Sequence, residues 1–240
     1  MKTKTRLPII RGLARNTILE HPYAPLVVVL VYFGITGLLY ASAALFSLGE
    51  GLWPFVIYQI VTLLMQVMVC VFDIGRRKYF VDLGEKDQAP MLTLFAAFRG
   101  NVPTVLGAAF FLMGIRFVFT LPAVILSYMS PISPENIKES AVILGLLALG
   151  YLFGYLATVP FFPLLYLIGD FKSMPLGKAL RMSLWLMKGN FFRYIGFDIS
   201  LIPLTLLGYL SFGLGFVWIT PLIQSSYAHF YLDLLKQKKK

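Results

Sequence analysis

Apolar residues in this chain run in blocks long enough to cross a bilayer, and charged residues collect in the gaps between them. A spanning helix needs about 20 consecutive apolar residues. The pattern supplies six such segments, at residues 24–46, 52–74, 102–128, 141–168, 194–211 and 215–235. The last two divide one apolar stretch, 194–235, that is too long for a single crossing and has a charge-free, Gly-containing turn at 211–215. Lipid-exposed irregular backbone is not tolerated within hydrocarbon. The pattern therefore predicts an all-α polytopic membrane protein, a single membrane domain over residues 1–240, with six transmembrane helices arranged as three hairpins.

Each hairpin is predicted to follow an amphipathic helix that lies in the membrane interface. The clearest case is 176–198, LGKALRMSLWLMKGNFFRYIGFD. On a helical wheel Lys178, Arg181, Trp185 and Lys188 fall in one sector, and Leu180, Leu184 and Met187 in another. A basic stripe with a Trp suits the headgroup layer. Gly189 is placed to take the left-handed conformation that ends this helix, and Asn190 to cap the next. Residues 92–101, LTLFAAFRGN, repeat the arrangement with Arg99, Gly100 and Asn101. Residues 9–16, IIRGLARN, repeat it more loosely, with Arg11 and Arg15 one turn apart. These segments describe three similar units. Either an internal repeat or the simple division of six spans by short outer loops accounts for them.

Local signals refine the picture. Ala41-Ser42-Ala43 has the spacing of a signal-peptidase site, but the apolar stretch before it is long, so the first span is read as uncleaved. Outer turns are expected at 47–51 and 129–140. Asp73 lies three and four residues before Arg76 and Arg77, which predicts a charge pair at the inner surface. Residues 84–87 read as a solvated turn and 91–98 as the second interfacial helix. Gly150 and Gly154 form a GxxxG pair suited to close helix packing. Pro160 and Pro163 must kink the fourth span or end it early.

Charge placement then sets orientation. The chain is 58% hydrophobic and 13% charged, with a net charge of +10. Of its 21 basic residues, nineteen fall on one side of an even-span topology, while Lys138 lies on the other and Arg116 within a span. This is the positive-inside pattern, and it predicts both termini in the cytoplasm. The basic excess attracts anionic membrane lipids, with Arg99, Lys178, Arg181, Trp185 and Lys188 as the interfacial contacts. It does not indicate nucleic acid. Cys70 is the only cysteine, so no intramolecular disulfide forms, and with two histidines the chain offers no metal site and no cofactor.

Arg116, about 14 residues into the third span, is the sharpest single feature. An arginine at that depth is costly and faces a bundle interior, a cavity or an acid. Asp198, early in the fifth span, is its candidate partner. Three readings stand: an ion pair joining two hairpins, an anion or lipid-headgroup site, or a side chain that snorkels to an interface. Gln59 and Gln66, seven apart, share a face of the second span and suit a polar path or an interhelical hydrogen bond. His229 and Asp233, four apart, suit a hydrogen-bonded or proton-relay pair. No HExxH, GxSxG, Walker-type loop or paired-cysteine motif is present, so no catalytic residue is assigned and the chain is not expected to be an enzyme.

Ser183, Leu186, Met187 and Gly189, then Gly213, Gly215, Trp218 and Pro221, then Ala228, Phe230 and Tyr231 form a pattern that resembles a family of uncharacterised bacterial integral membrane proteins, domain of unknown function 975. LTLFAAF and FTLPAVILSY resemble its middle section. The resemblance implies a multi-pass plasma-membrane protein and brings no activity. The expectation is a non-catalytic accessory or scaffold protein whose basic face meets anionic lipid and a membrane-protein partner. The alternative is a small permease or lipid-handling protein whose cavity is lined by Arg116, Gln59, Gln66 and Asp198.

Overall fold

The computed structural model describes residues 4–45, 52–129, 137–171 and 173–238, and among them the chain is helical with no strand. In chain order the helices are α1 (Leu7–Glu20), α2 (Ala24–Ala44), α3 (Leu52–Lys86), a 3₁₀ helix (Met91–Arg99), α4 (Val102–Met129), α5 (Ile137–Thr158), a 3₁₀ turn (Val159–Phe161), α6 (Leu164–Asp170), α7 (Leu176–Met187), α8 (Phe191–Ile199), α9 (Ile202–Leu210) and α10 (Phe216–Lys238). Among the described residues five stretches are long and apolar enough to cross a membrane: Ala24–Ser42, Ile57–Lys86, Val102–Ser127, Ile137–Asp170 and Phe191–Leu210. Such a set is compatible with a multi-pass membrane protein.

The sequence pattern predicts six spans, and the segment without a counterpart among those five is 215–235. It folds as α10, but Gln224, Ser225, Ser226, His229 and Asp233 lower its apolar character. The helix tolerates them because it packs on α1, α2, α3, α7 and α9. Protein rather than lipid solvates much of its surface. α2 packs along α3, α4 along α5 and α9 along α10. The expected outer turn at 47–51 lies outside the described residues, as do residues 130–136 of the one expected at 129–140. Met129 ends α4, and residues 137–140 form the first turn of α5 rather than loop. The expected loop after the second span is shorter than read, because α3 continues to Lys86 before Asp87 turns the chain with a φ of 58°.

The packed core sits at the end of the bundle where the basic residues collect. Tyr79, Phe80, Leu94, Tyr166, Leu167, Phe197, Phe230 and Tyr231 are each at most 2% exposed. On α1, Ile10, Ala14 and Thr17 recur at spacings of four and three, so one face lies buried against α10. There Thr17 Oγ1 lies 3.0 Å from His229 Nε2, and Ser225 Oγ donates to the Ala14 carbonyl at 3.3 Å. Toward the other end the chemistry inverts. Only 11–22% of each apolar window is buried within the protein. Leu38, Ile60, Val118 and Phe212 present their side chains outward. Helices that are apolar yet uncovered are solvated by lipid.

The breaks in the helices follow their breakers. α5 ends at Thr158, the turn of Val159–Phe161 follows, and α6 restarts after Pro163. Gly189 has a φ of +80°, the expected stop after α7. Asn190 does not cap α8 with its side chain. Its Nδ2 donates instead to the Leu186 carbonyl and to Gln237 Oε1, tying α7 to the end of α10. The buried face of α7 is Ala179, Ser183, Leu186 and Met187, while Leu184 is exposed.

The GxxxG pair works unequally. A Cβ on Gly150 would stand 2.5 Å from the Phe119 carbonyl oxygen, whereas one on Gly154 would meet nothing closer than 3.6 Å. Gly150→Ala is therefore expected to push α4 from α5 and cost about 1–3 kcal/mol. Gly154→Ala is expected to change stability by less than about 1 kcal/mol. Thermal unfolding of both variants in one detergent checks the contrast.

Candidate functional site

A cavity of about 700 Å³ opens between α2, α3, α4 and α5 and is floored by the chain after the Pro160 break. One face of α3 supplies Gln66, Cys70, Asp73 and Arg77, at spacings of four, three and four, with Arg76 beside them. Arg116 of α4 enters from the opposite wall, with Thr120 one turn further along. Tyr32, Tyr155 and Tyr194 add phenol groups, and Phe162 and Leu165 close the floor. Phe162 is fixed by ring contacts to Tyr194 and Tyr166, with centroids 4.4 and 5.3 Å apart.

Three guanidinium groups and one carboxylate line this space, so its walls carry an excess of positive charge. Arg77 Nε donates to Asp73 Oδ2 at 2.7 Å, and Arg76 Nη2 donates to Asp73 Oδ1. The pair foreseen at the surface is mostly buried: the side chains of Asp73, Arg76 and Arg77 are 14%, 11% and 22% exposed. Aromatic faces hold the two cations. The Arg76 guanidinium sits 4.1 Å from the Tyr32 ring centroid, and that of Arg77 4.9 Å from Tyr166. Arg116 forms no salt bridge with the described residues. It also borders a second hollow of about 280 Å³ against Gly150 and Gly154.

Of the residues singled out in the sequence, Arg116 and Gln66 line the cavity. Gln59 is exposed and lies outside it. Asp198 stands behind the wall, where it accepts hydrogen bonds from Tyr155 at 2.5 Å and from Tyr227. Arg116 is therefore not its partner, because phenol groups from α5 and α10 reach the carboxylate first. Asp198→Ala is expected to cost roughly 1–3 kcal/mol by stranding two phenols. Its effect should add to that of Arg116→Leu within about 0.5 kcal/mol. A thermal-unfolding double-mutant cycle tests this, and a large coupling energy would restore the ion-pair reading.

His229 and Asp233 are also separated. His229 meets Thr17, whereas Asp233 binds Arg193 at 2.6 Å and receives Thr5 Oγ1 at 2.5 Å. The polar residues that pattern reading overlooked are Tyr155 and Tyr227. Nothing in their spacing links them to Asp198. The lining face of α3 did carry a signal, the recurrence of Gln66, Cys70, Asp73 and Arg77 along one stripe of a spanning helix. Lys178, Arg181, Trp185, Lys188 and Arg99 are all exposed, and Lys238 Nζ lies 5.0 Å over the Trp185 ring. Among the described residues no group of three or more His, Cys, Asp and Glu side chains is placed to hold a metal.

The family model described as "Protein of unknown function (DUF975)" matches residues 10–238. The chain belongs to this family. The match spans every helix that frames the cavity, so the DUF975 assignment covers the site as well as the fold. Comparisons with curated proteins and with solved structures return no match.

Proposed function

We propose that this DUF975 protein is a non-catalytic, multi-pass plasma-membrane protein that takes up the anionic headgroup of a lipid or similar amphiphile in its arginine-lined cavity. The observation that carries this reading is the charge of the cavity: Arg76, Arg77 and Arg116 against Asp73 alone, on helices with lipid-facing exteriors. Cations buried in apolar surroundings are costly without a counter-anion. An anionic headgroup supplies that charge, and its acyl chains remain in the surrounding hydrocarbon. The basic end of the bundle lies at the cytoplasmic face, following the placement of Lys and Arg.

A second reading, an accessory protein that engages anionic lipid surfaces and a membrane-protein partner, is favoured by the exposed stripe of Lys178, Arg181, Trp185 and Lys188 on α7. One experiment separates the two. The protein is extracted in mild detergent from membranes containing phosphatidylglycerol and phosphatidylcholine, and retained lipids and proteins are identified by mass spectrometry. Selective retention of phosphatidylglycerol, lost in Arg116→Leu, supports the cavity reading. A stoichiometric protein without retained lipid supports the accessory one.

A further inference from the structure

The cavity floor carries an anion of its own, and its placement bears on how any other anion binds. Asp73 sits one helical turn before Arg76 and Arg77 and engages each of them through a different carboxylate oxygen. Two guanidinium groups offer ten N–H donors between them, and one carboxylate satisfies few of them. Arg76 is only 9% exposed, and its Nε is buried without a hydrogen-bond partner. The floor is therefore short of acceptors and positive overall. The Tyr32 and Tyr166 rings hold both guanidinium groups independently of Asp73.

Resting on the reading of this cavity as an anion site, we infer that Asp73 is a built-in competitor. Its carboxylate occupies the Arg76–Arg77 fork in the empty cavity, and a phosphate-type headgroup takes its place on binding. Until it moves, Asp73 both fills the donors and repels the incoming anion. Apparent affinity falls by the fraction of molecules in which the fork is free. Weakened binding suits a protein that must release what it takes. Arg116, on the opposite wall with no carboxylate of its own among the described residues, offers the first contact and the fork the second. Asp73 is thus an affinity-setting residue, and its removal should tighten binding.

That sign separates the inference from a merely structural ion pair, whose loss weakens the site. The test is a thermal-shift titration of the detergent-purified full chain, with short-chain phosphatidylglycerol in one arm and inorganic phosphate in the other. Asp73→Asn is expected to bind on the order of tenfold more tightly than the wild type. The double variant Asp73→Asn/Arg76→Gln keeps the floor at the wild-type net charge while still freeing Arg77. Tighter binding than Arg76→Gln alone is expected there, each Asp73 variant being judged against its own Asp73 parent, and it guards against a fold that rejects the single change. Tightening toward phosphatidylglycerol alone assigns a lipid headgroup, and tightening toward phosphate assigns a soluble anion; both support the displacement. Unchanged or weaker binding in folded variants overturns it, as does failure of both variants to fold. If the wild type binds in an Arg116-dependent way and the Asp73 variants bind no better, only this inference falls. If neither the wild type nor the variants bind either probe, the proposed function falls with it.

Discussion

Arg116→Leu is expected to abolish selective phosphatidylglycerol retention while leaving the fold as stable as the wild type or more so. The two halves of this expectation have one origin. An arginine near the middle of a spanning helix costs about 2.5–3.5 kcal/mol on insertion scales, and no carboxylate among the described residues offsets that cost at Arg116. Replacing it by Leu removes the cost and breaks no ion pair among the described residues. The ligand, however, loses a charge-assisted contact worth roughly 1.5–3 kcal/mol, about ten- to a hundredfold in affinity. Cys70 provides an independent check. It is the only cysteine in the chain and lines the same cavity. In the wild type an anionic methanethiosulfonate should modify it faster than a cationic one of similar size, because the arginines concentrate anions there. The preference should shrink in Arg116→Leu and weaken at high salt. Equal rates for both reagents in the wild type would contradict a positively charged cavity.

How much of this was legible in the sequence depended on how far each signal reaches along the chain. The apolar runs, the Pro160 and Pro163 break and the Gly189 stop are local, and the structure places them where the pattern does. Gly150 was readable because GxxxG is a one-helix signature of a two-helix contact. Pairings across helices were not. Asp198 meets Tyr155 and Tyr227, 43 and 29 residues away. Tyrosine is common in this chain, so no feature of the sequence marks those two. The count of spans is legible only in part for a related reason: five stretches among the described residues are long and apolar enough to cross, and α10, which packs on α1, α2, α3, α7 and α9, is not among them. The spacing of Asp73, Arg76 and Arg77 predicts a surface pair because it gives a local contact but not its depth. The depth is set by the chain after Pro160, which returns Phe162 and Leu165 beneath them.

Gly75→Ala is expected to be the most damaging single substitution toward the fold. Gly75 lies on α3 where the 3₁₀ helix Met91–Arg99 crosses it, and a Cβ there would stand 1.8 Å from the Leu94 carbonyl oxygen and 2.5 Å from its carbon. Both are backbone atoms, so no rotamer change relieves the clash. The 3₁₀ helix is pinned in place by Leu94, 2% exposed, and by Phe72, whose ring lies 5.8 and 5.2 Å from those of Phe95 and Phe98. In an open helix Gly→Ala would gain about 0.5–1 kcal/mol. Here a separation below any real contact requires α3 or the 3₁₀ helix to move. Overpacking of this kind costs about 1–3 kcal/mol when side chains can yield, and more when only backbone can. A loss above about 3 kcal/mol, or failure to fold, is expected in thermal or denaturant unfolding. Gly114→Ala on α4, whose Cβ would meet nothing within 4 Å, is the matched control and should be neutral or stabilising. If Gly75→Ala unfolded no earlier than Gly114→Ala, α3 and the 3₁₀ helix would not be in backbone contact. Because Arg76 follows Gly75 directly, a milder displacement would show first in the cavity. The charge preference of Cys70 labelling would fall before the unfolding temperature does, which ties the packing of this one glycine to the site it supports.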